Sequence, residues 1–253
     1  MSAAPAVLIQ ITDCHLMAEP HARLRGVDTE AAVAAVVAEA ARARPDAVLV
    51  SGDLTQDGSA AAYRRLSALL ATIGAPIHCL PGNHDLPAVM TRALPREGVA
   101  LGRSFTVGGW DVIMLDTTVA GEDDGALSAD ELAALDRTLA VSPETPAMVA
   151  LHHHPVAVGG AWGDSLGLAA AEPLFAVLDR HSRARALTWG HIHQAFDGAR
   201  GDLGLYGTPA SSFQFTRDAD GDLAVADAPP GFRRFLLHGD GRVETAVAWL
   251  GRD

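Results

Sequence analysis

Asp13 and His15 stand two residues apart in Thr12-Asp13-Cys14-His15, and His191 and His193 repeat that spacing in Gly190-His191-Ile192-His193. At an extended strand end, side chains at i and i+2 leave the backbone on one side, so each pair can grip one ion. Histidine nitrogen mixed with aspartate oxygen suits manganese, iron, cobalt, nickel or zinc better than magnesium or calcium. Asp53 follows a glycine in Gly52-Asp53-Leu54-Thr55-Gln56-Asp57-Gly58. A carboxylate has two oxygens, each able to hold a different cation, which makes Asp53 the natural bridge. Gly82-Asn83-His84-Asp85 adds a neutral amide oxygen, a histidine free to act on substrate, and a neighbouring acid able to hold that histidine's tautomer. His152-His153-His154 reads either as a structural turn or as one ligand beside two bystanders.

The segments before these residues are those that position chemistry. Short β-branched runs at 7–11, 47–50, 77–80, 110–115, 147–151 and 186–189 each stop at a polar cluster, which places Asp, His and Asn at successive strand ends, the rim where open α/β sheets carry their ligand sites. Helices are predicted between them. Asp28 caps 31–44 ahead of Pro45, 59–73 ends at Gly74, and Ser128 with Glu131 forms a capping box for 128–141. The runs 203–206, 232–238 and 243–249 read as further strands. With 253 residues, 49% of them hydrophobic, and no interdomain linker, the chain is expected to form one α/β domain over residues 1–253.

Composition removes whole classes of function. Nineteen basic against 31 acidic side chains leave a net charge of −12, and the arginines are scattered, so nucleic acid and anionic membrane surfaces are excluded as partners. No apolar stretch approaches the ~20 residues of a membrane span, and the N-terminus lacks the basic and apolar regions of a signal peptide. Cys14 and Cys79 are too few for a disulfide framework, which points to a reducing, cytoplasmic setting. No glycine-rich loop for ATP or NAD is present, and Asp218-Ala219-Asp220-Gly221-Asp222 fails as a calcium loop because its glycine comes early and its final Glu is missing.

Taken together, Asp13-x-His15, Gly52-Asp53, Gly82-Asn83-His84-Asp85, His154-Pro155 and Gly190-His191-x-His193 resemble the signature of the calcineurin-like metallophosphoesterases. Further segments, among them Gly26-Val27-Asp28-Thr29, Leu80-Pro81 and Pro230-Gly231-Phe232-Arg233, are similar to the bacterial class III 3′,5′-cyclic-AMP phosphodiesterases of the CpdA type. The resemblance implies a four-layer αββα sandwich of two mixed β-sheets, with the site at one edge. It implies that Asp13, His15 and His193 hold one metal, that Asn83, His152 and His191 hold another, and that Asp53 bridges them. His152 is preferred to His153 because relatives with two histidines and two prolines align from the strand end. His84 is then the catalytic histidine outside the ligand set, oriented by Asp85, with Asn83, His84, His154 and His193 meeting the substrate. Two divalent or mixed-valence transition-metal ions are implied, iron or manganese ahead of zinc or cobalt.

The activity so implied is hydrolysis of cyclic AMP to AMP by a metal-activated hydroxide. The alternatives are a broader phosphoester hydrolase on the same centre and a non-catalytic nucleotide-binding module. The partner is a small phosphodiester, and the oligomeric state is open, a homodimer included. Local charge from two divalent ions outweighs the acidic balance of the chain for so small an anion. Trp162, Phe213 and Phe215 are expected to wall a base pocket.

Overall fold

Alternation along two neighbouring strands sets the layering. In β1 (Ala6–Ile11) and β4 (Ala47–Ser51), Leu8 and Leu49 point to one face while Ile9, Ile11, Val48 and Val50 point to the other, and all are buried. Strands buried on both faces need cover on both sides. Ile9, Ile11, Val48 and Val50 pack with Val33, Val36 and Val37 of helix α1 (Thr29–Arg42), Tyr63 and Leu66 of α2 (Ala60–Leu70) and Met90 of α3 (Pro87–Ala93). Leu8 and Leu49 instead meet Trp110 and Val112 of β8 (Trp110–Met114), Met148 and Ala150 of β9 (Ala147–Ala150) and Phe235 of β13 (Gly231–Leu237). A third apolar layer joins Val149 and Leu187 to Leu135 and Leu139 of α4 (Ala129–Val141) and to Leu174 and Phe175 of α5 (Glu172–Leu178). Helix, sheet, sheet, helix is therefore the stacking order, and the fold is the expected αββα sandwich.

The computed structural model describes residues 4–96, 98–159, 164–216 and 224–251. The first sheet has the order β14-β13-β1-β4-β5-β6, with β5 at Ile77–Leu80, β6 at Val99–Leu101 and β14 at Val243–Trp249. The second runs β11-β12-β10-β9-β8-β7, with β7 at Ser104–Val107, β10 at Ala184–Trp189, β11 at Phe196–Arg200 and β12 at Leu203–Gly207. Each has a parallel centre and antiparallel strands at an edge, so both are mixed. A small hairpin pairs β2 (Arg23–Leu24) with β3 (Val27–Asp28). Among the described residues no helix is long and apolar enough to cross a membrane.

Two polar ties join the sheets. Gln10, fully buried, donates through Nε2 to Ser51 Oγ (2.7 Å) and Trp189 O (3.2 Å), and accepts at Oε1 from Thr188 and from Thr208 Oγ1 (2.7 Å). Arg233 of β13, 1% exposed, donates to Asp197 of β11 (2.8 Å) and to the carbonyls of Phe196 (3.0 Å) and Gly207 (2.9 Å). Pairing most of their buried donors in this way, with Arg233 Nε left without a partner, is what makes these buried polar groups tolerable.

Helix boundaries moved where caps overrode the apolar pattern. Asp28 is the cap of α1, accepting from Ala31 N at 2.9 Å, but the helix stops at Arg42, two residues short of expectation, because Arg44 turns to φ 48°. Ser59 caps α2, whose last predicted residues form a 3₁₀ turn (Ala71–Ile73) closed by Gly74 at φ 76°. Ser128 caps α4, yet the Glu131 carboxylate pairs with Arg103 and does not return to the cap, so only half of the capping box forms.

Candidate metal centre

The polar clusters follow the C-terminal ends of five parallel strands, β1, β4, β5, β9 and β10, and backbone bonds lock the loops to one another. Asp13 N donates to Gly52 O (3.1 Å), His15 N to Asp53 O (2.9 Å) and Gly190 N to His152 O (3.2 Å). The Asp13 carboxylate accepts from His191 N at 3.0–3.1 Å, and Asp53 Oδ1 accepts from His84 N at 2.9 Å. Segment 211–213 supports the site from below, with Ser212 Oγ on Asp13 O (2.6 Å) and the Phe213 carbonyl receiving His193 Nδ1 (2.6 Å).

Local backbone strain is concentrated here. Asp13, His15, Asp53, His191 and His193 all have φ between 47° and 67°, in the left-handed region that side-chain-bearing residues avoid at a cost of about 1–2 kcal/mol each. The i, i+2 pairs are thus not simple strand ends. Each donor sits at a sharp turn that re-aims its side chain inward. The glycine before Asp53 has a direct cause, since Gly52 lies at φ 95° and a Cβ there would enter the His152 ring. A Cβ on Gly190 would likewise strike Thr12 Oγ1 and come within 2.8 Å of Asp13 Oδ2.

Two overlapping sets of donor atoms result. Asp13, His15 and His193 form one, with His193 Nε2 3.6 Å from Asp13 Oδ1 and 3.1 Å from His15 Nε2. In the other, His152 Nε2 lies 3.1 Å from Asn83 Oδ1 and 3.3 Å from His191 Nδ1. Asp53 Oδ2 lies between the sets, 3.6 Å from His15 Nε2 and 3.4 Å from His152 Nε2. Expectation gave each Asp53 oxygen its own ion. Instead one oxygen faces both sets, because the other is engaged by the His84 N–H. Donors sharing one ion at about 2.1 Å stand about 3.0–3.5 Å apart, which matches these separations.

The chemistry of the donors fits cations. His15 Nδ1 faces Gln56 Oε1 (2.9 Å), His193 Nδ1 faces the Phe213 carbonyl and His152 Nδ1 faces Ser51 O (2.8 Å), so each Nδ1 carries a hydrogen and each Nε2 turns inward. Asp13 and Asp53 are buried, and their only ion-pair partners among the described residues are imidazoles. His191 Nε2 is buried with no hydrogen-bond partner.

Electrostatics agree. Burial drives His15 down to about 4 and His191 and His193 well below the ordinary imidazole value, leaving neutral rings with lone pairs. Burial opposes charge on His152 as well, but the Asp53 carboxylate outweighs it and raises that ring to about 9. The same attraction holds Asp53 well below the carboxylate range despite its burial. Burial raises Asp13, and the Asp53 charge adds to the rise.

A cavity of about 360 Å³ opens on the site, with His15, Asp53, Asn83, His84, His191 and His193 on one side and Phe213 and Phe215 on the other. The two phenylalanines are where the sequence predicts pocket walls, and Phe215 packs on His193 with ring centroids 4.5 Å apart. Trp162, the third expected wall, lies outside the described residues, as does the rejected calcium-loop segment 218–222.

Two assignments need correction. Asp85 does not orient His84. Its carboxylate is consumed by the N–H groups of Gly82 (2.9 Å), Leu54 (3.0 Å) and Thr55 (3.2 Å) and by the Tyr63 hydroxyl (2.9 Å), so it clamps two loops. The His84 ring pairs with Gln56 instead, Nδ1 to Nε2 at 3.1 Å. His154 does not line the cavity. It is 2% exposed behind the site, stacked on His191 at 5.9 Å and packed against Gly167. His153, the open alternative to His152, turns Nδ1 to Thr117 Oγ1 (2.7 Å), while its Nε2 is buried without a hydrogen-bond partner and groups with His152 and His191 as donors close enough to share an ion. Arg25 and Gln56 also line the cavity. Sequence reasoning assigned neither a role, although Gln56 stands in the quoted Asp53 segment.

The family model for calcineurin-like phosphoesterases matches residues 6–195. The 3′,5′-cyclic adenosine monophosphate phosphodiesterase CpdA of Pseudomonas aeruginosa is 39% identical over 247 residues, covering 97% of this chain and 90% of its own. A 3′,5′-cyclic-nucleotide phosphodiesterase of Nostoc is 36% identical, covering 96% and 92%. Among solved structures, a dimetal phosphatase from Danio rerio superposes with a TM-score of 0.67 at 13% identity, covering 96% of this chain and 99% of that one.

Proposed function

The chain belongs to the calcineurin-like phosphoesterase family, and on that premise we propose that it is a dinuclear-metal phosphodiesterase that opens 3′,5′-cyclic nucleotides, converting cyclic AMP to AMP. The observation that carries this reading is the single Asp53 oxygen placed between two sets of buried donors at the foot of a cavity with an aromatic wall. Asp13, His15 and His193 would hold one ion, Asn83, His152 and His191 the other, with Asp53 available to both. Their nitrogen and oxygen mixture suits first-row transition metals; the family resemblance puts iron or manganese ahead of zinc or cobalt, and metal analysis separates them.

Two ions bound there would supply Lewis acidity, activating water near neutral pH and withdrawing charge from a phosphoryl group. The rest falls to the chain's own residues. The His84 N–H held by Asp53 Oδ1 fixes the Asn83-His84 loop against the bridge. His84, lining the cavity, meets the departing ribose oxygen as charge grows on it. Phe213 and Phe215 offer an apolar face to the base and keep water from the reacting side. No phosphoenzyme is needed, because an activated water would serve as the nucleophile.

Residues 1–253 act as one catalytic domain in this reading, supported by the return of β13 and β14 to the first sheet. Free, buried Cys14 and Cys79 fit a cytoplasmic setting. The test compares kcat/KM for cyclic AMP, cyclic GMP, glycerophosphodiesters and bis-p-nitrophenyl phosphate on metal-loaded protein. Preference for cyclic AMP with AMP as product is expected. Equal or better turnover of the other diesters would favour the broad hydrolase, and binding of cyclic AMP without turnover would favour a binding module.

A further inference from the structure

Gln56 touches two imidazoles at once. Its Oε1 lies 2.9 Å from His15 Nδ1 and its Nε2 lies 3.1 Å from His84 Nδ1. The direction of the amide is not arbitrary. His15 turns Nε2 toward Asp53 Oδ2 and His193 Nε2, so its hydrogen is on Nδ1 and requires an acceptor, which only the amide oxygen provides. The amide NH₂ is then the end that faces His84. A flip would set NH₂ against the N–H at His15, two donors with no acceptor between them. His84 Nδ1 must therefore accept, and in a neutral imidazole the hydrogen resides on Nε2.

From this geometry we propose that Gln56 is a positioning residue that fixes His84 as the Nε2–H tautomer, so that His84 meets the phosphodiester as a hydrogen-bond donor and not as a base. The inference rests on the donor cluster holding metal through His15 Nε2. Among the described residues, His84 is otherwise held by its backbone N–H on Asp53 and by edge-on contact with the His15 ring at 5.1 Å and 74°, neither of which selects a tautomer. Asp85 does not reach it. One amide thus carries the orientation of a metal ligand to the residue that faces the leaving oxygen. A donor aimed at an oxygen that gains negative charge stabilises the transition state more than the ground state.

The tautomer can be read directly by ¹⁵N-histidine NMR on zinc-loaded and metal-free protein, with the His84 signals identified by their loss in His84→Ala. Native protein is expected to show hydrogen on His84 Nε2. In Gln56→Glu the carboxylate accepts from both rings, so hydrogen moves to His84 Nδ1, and kcat on bis-p-nitrophenyl phosphate falls about 100-fold with KM changed far less and both ions retained. Gln56→Ala is expected to show both tautomers and a smaller fall in kcat. Hydrogen on His84 Nδ1 in the native protein would overturn the proposal, whether or not the variants fold. So would an unchanged tautomer in Gln56→Ala. Both readouts are independent of cyclic AMP, so failure to hydrolyse that nucleotide would count against the proposed substrate alone.

Discussion

His15 Nε2 and His193 Nε2 face each other across 3.1 Å, and each ring has committed its Nδ1 hydrogen to an oxygen, Gln56 Oε1 in one case and the Phe213 carbonyl in the other. Two buried lone pairs meet with nothing of the protein's own between them. Stripping divalent ions with a chelator should therefore lower Tm, and returning manganese or zinc should restore it. Free ion at 100 times its Kd corresponds to about 2.7 kcal/mol of stabilisation. Calorimetric scans that coincide with and without the ion would remove the cluster as a metal centre.

Variants of the donors should separate holding from acting. Asp53→Ala removes the oxygen common to both sets, so metal content should fall toward zero together with turnover. Asn83→Ala should cost one ion per chain, because Asn83 adjoins only the His152 set. His84→Ala should keep two ions while kcat drops about 100-fold or more. Elemental analysis beside steady-state kinetics distinguishes the three, and loss of metal in His84→Ala would make His84 a ligand.

The imidazoles give metal-free protein a stability maximum in pH. His15, lowered to about 4, has lost in the native state a proton that the unfolded chain retains, so stability climbs with pH from about 4 to the ordinary histidine value near 6.5. His152, raised to about 9, keeps a proton that the unfolded chain gives up. Its contribution is complete below about 6.5 and is lost as pH rises through about 9. Urea midpoints measured across pH should peak between these limbs, and His152→Gln should abolish the alkaline one. Ion binding at pH 7 must expel the His152 proton, so its apparent enthalpy should depend on the buffer's ionisation enthalpy.

Gly52 and Gly74 are both left-handed, at φ 95° and 76°, but only Gly52 has a neighbour in the path of a Cβ. Gly74→Ala should cost about 1 kcal/mol from backbone strain alone. Gly52→Ala must also displace the His152 ring and should cost about 2–4 kcal/mol together with one bound ion. Equal destabilisation of the two in thermal melts would mean that the His152 ring yields freely.

Residues with one dominant local cause were legible in the sequence. The apolar strands and the caps Asp28, Ser59 and Ser128 followed from types and spacing, whereas the seven proposed donors came from a resemblance to a known family. Asp85 and His154 were misjudged because adjacency in sequence does not set side-chain direction. Asp85 turns back to the N–H of Gly82 three residues earlier, and His154, in the bend beyond β9, stacks behind His191. The β2–β3 hairpin is only two residues a side, and β11, Phe-Asp-Gly-Ala-Arg, is mostly exposed, so neither has an apolar period to detect. Gln56 could be found only in space, since its partners lie 41 and 28 residues away.

β1 draws its two neighbours from distant parts of the chain. β1 lies between β4 and β13, and β13 begins at Gly231, well beyond the final donor, His193. The props beneath Asp13 and His193 also come from residues 211–213. A nascent chain that has delivered every ligand therefore still lacks the wall that holds them in register. Sequence order thus separates the donors from the strand and the segment that buttress them.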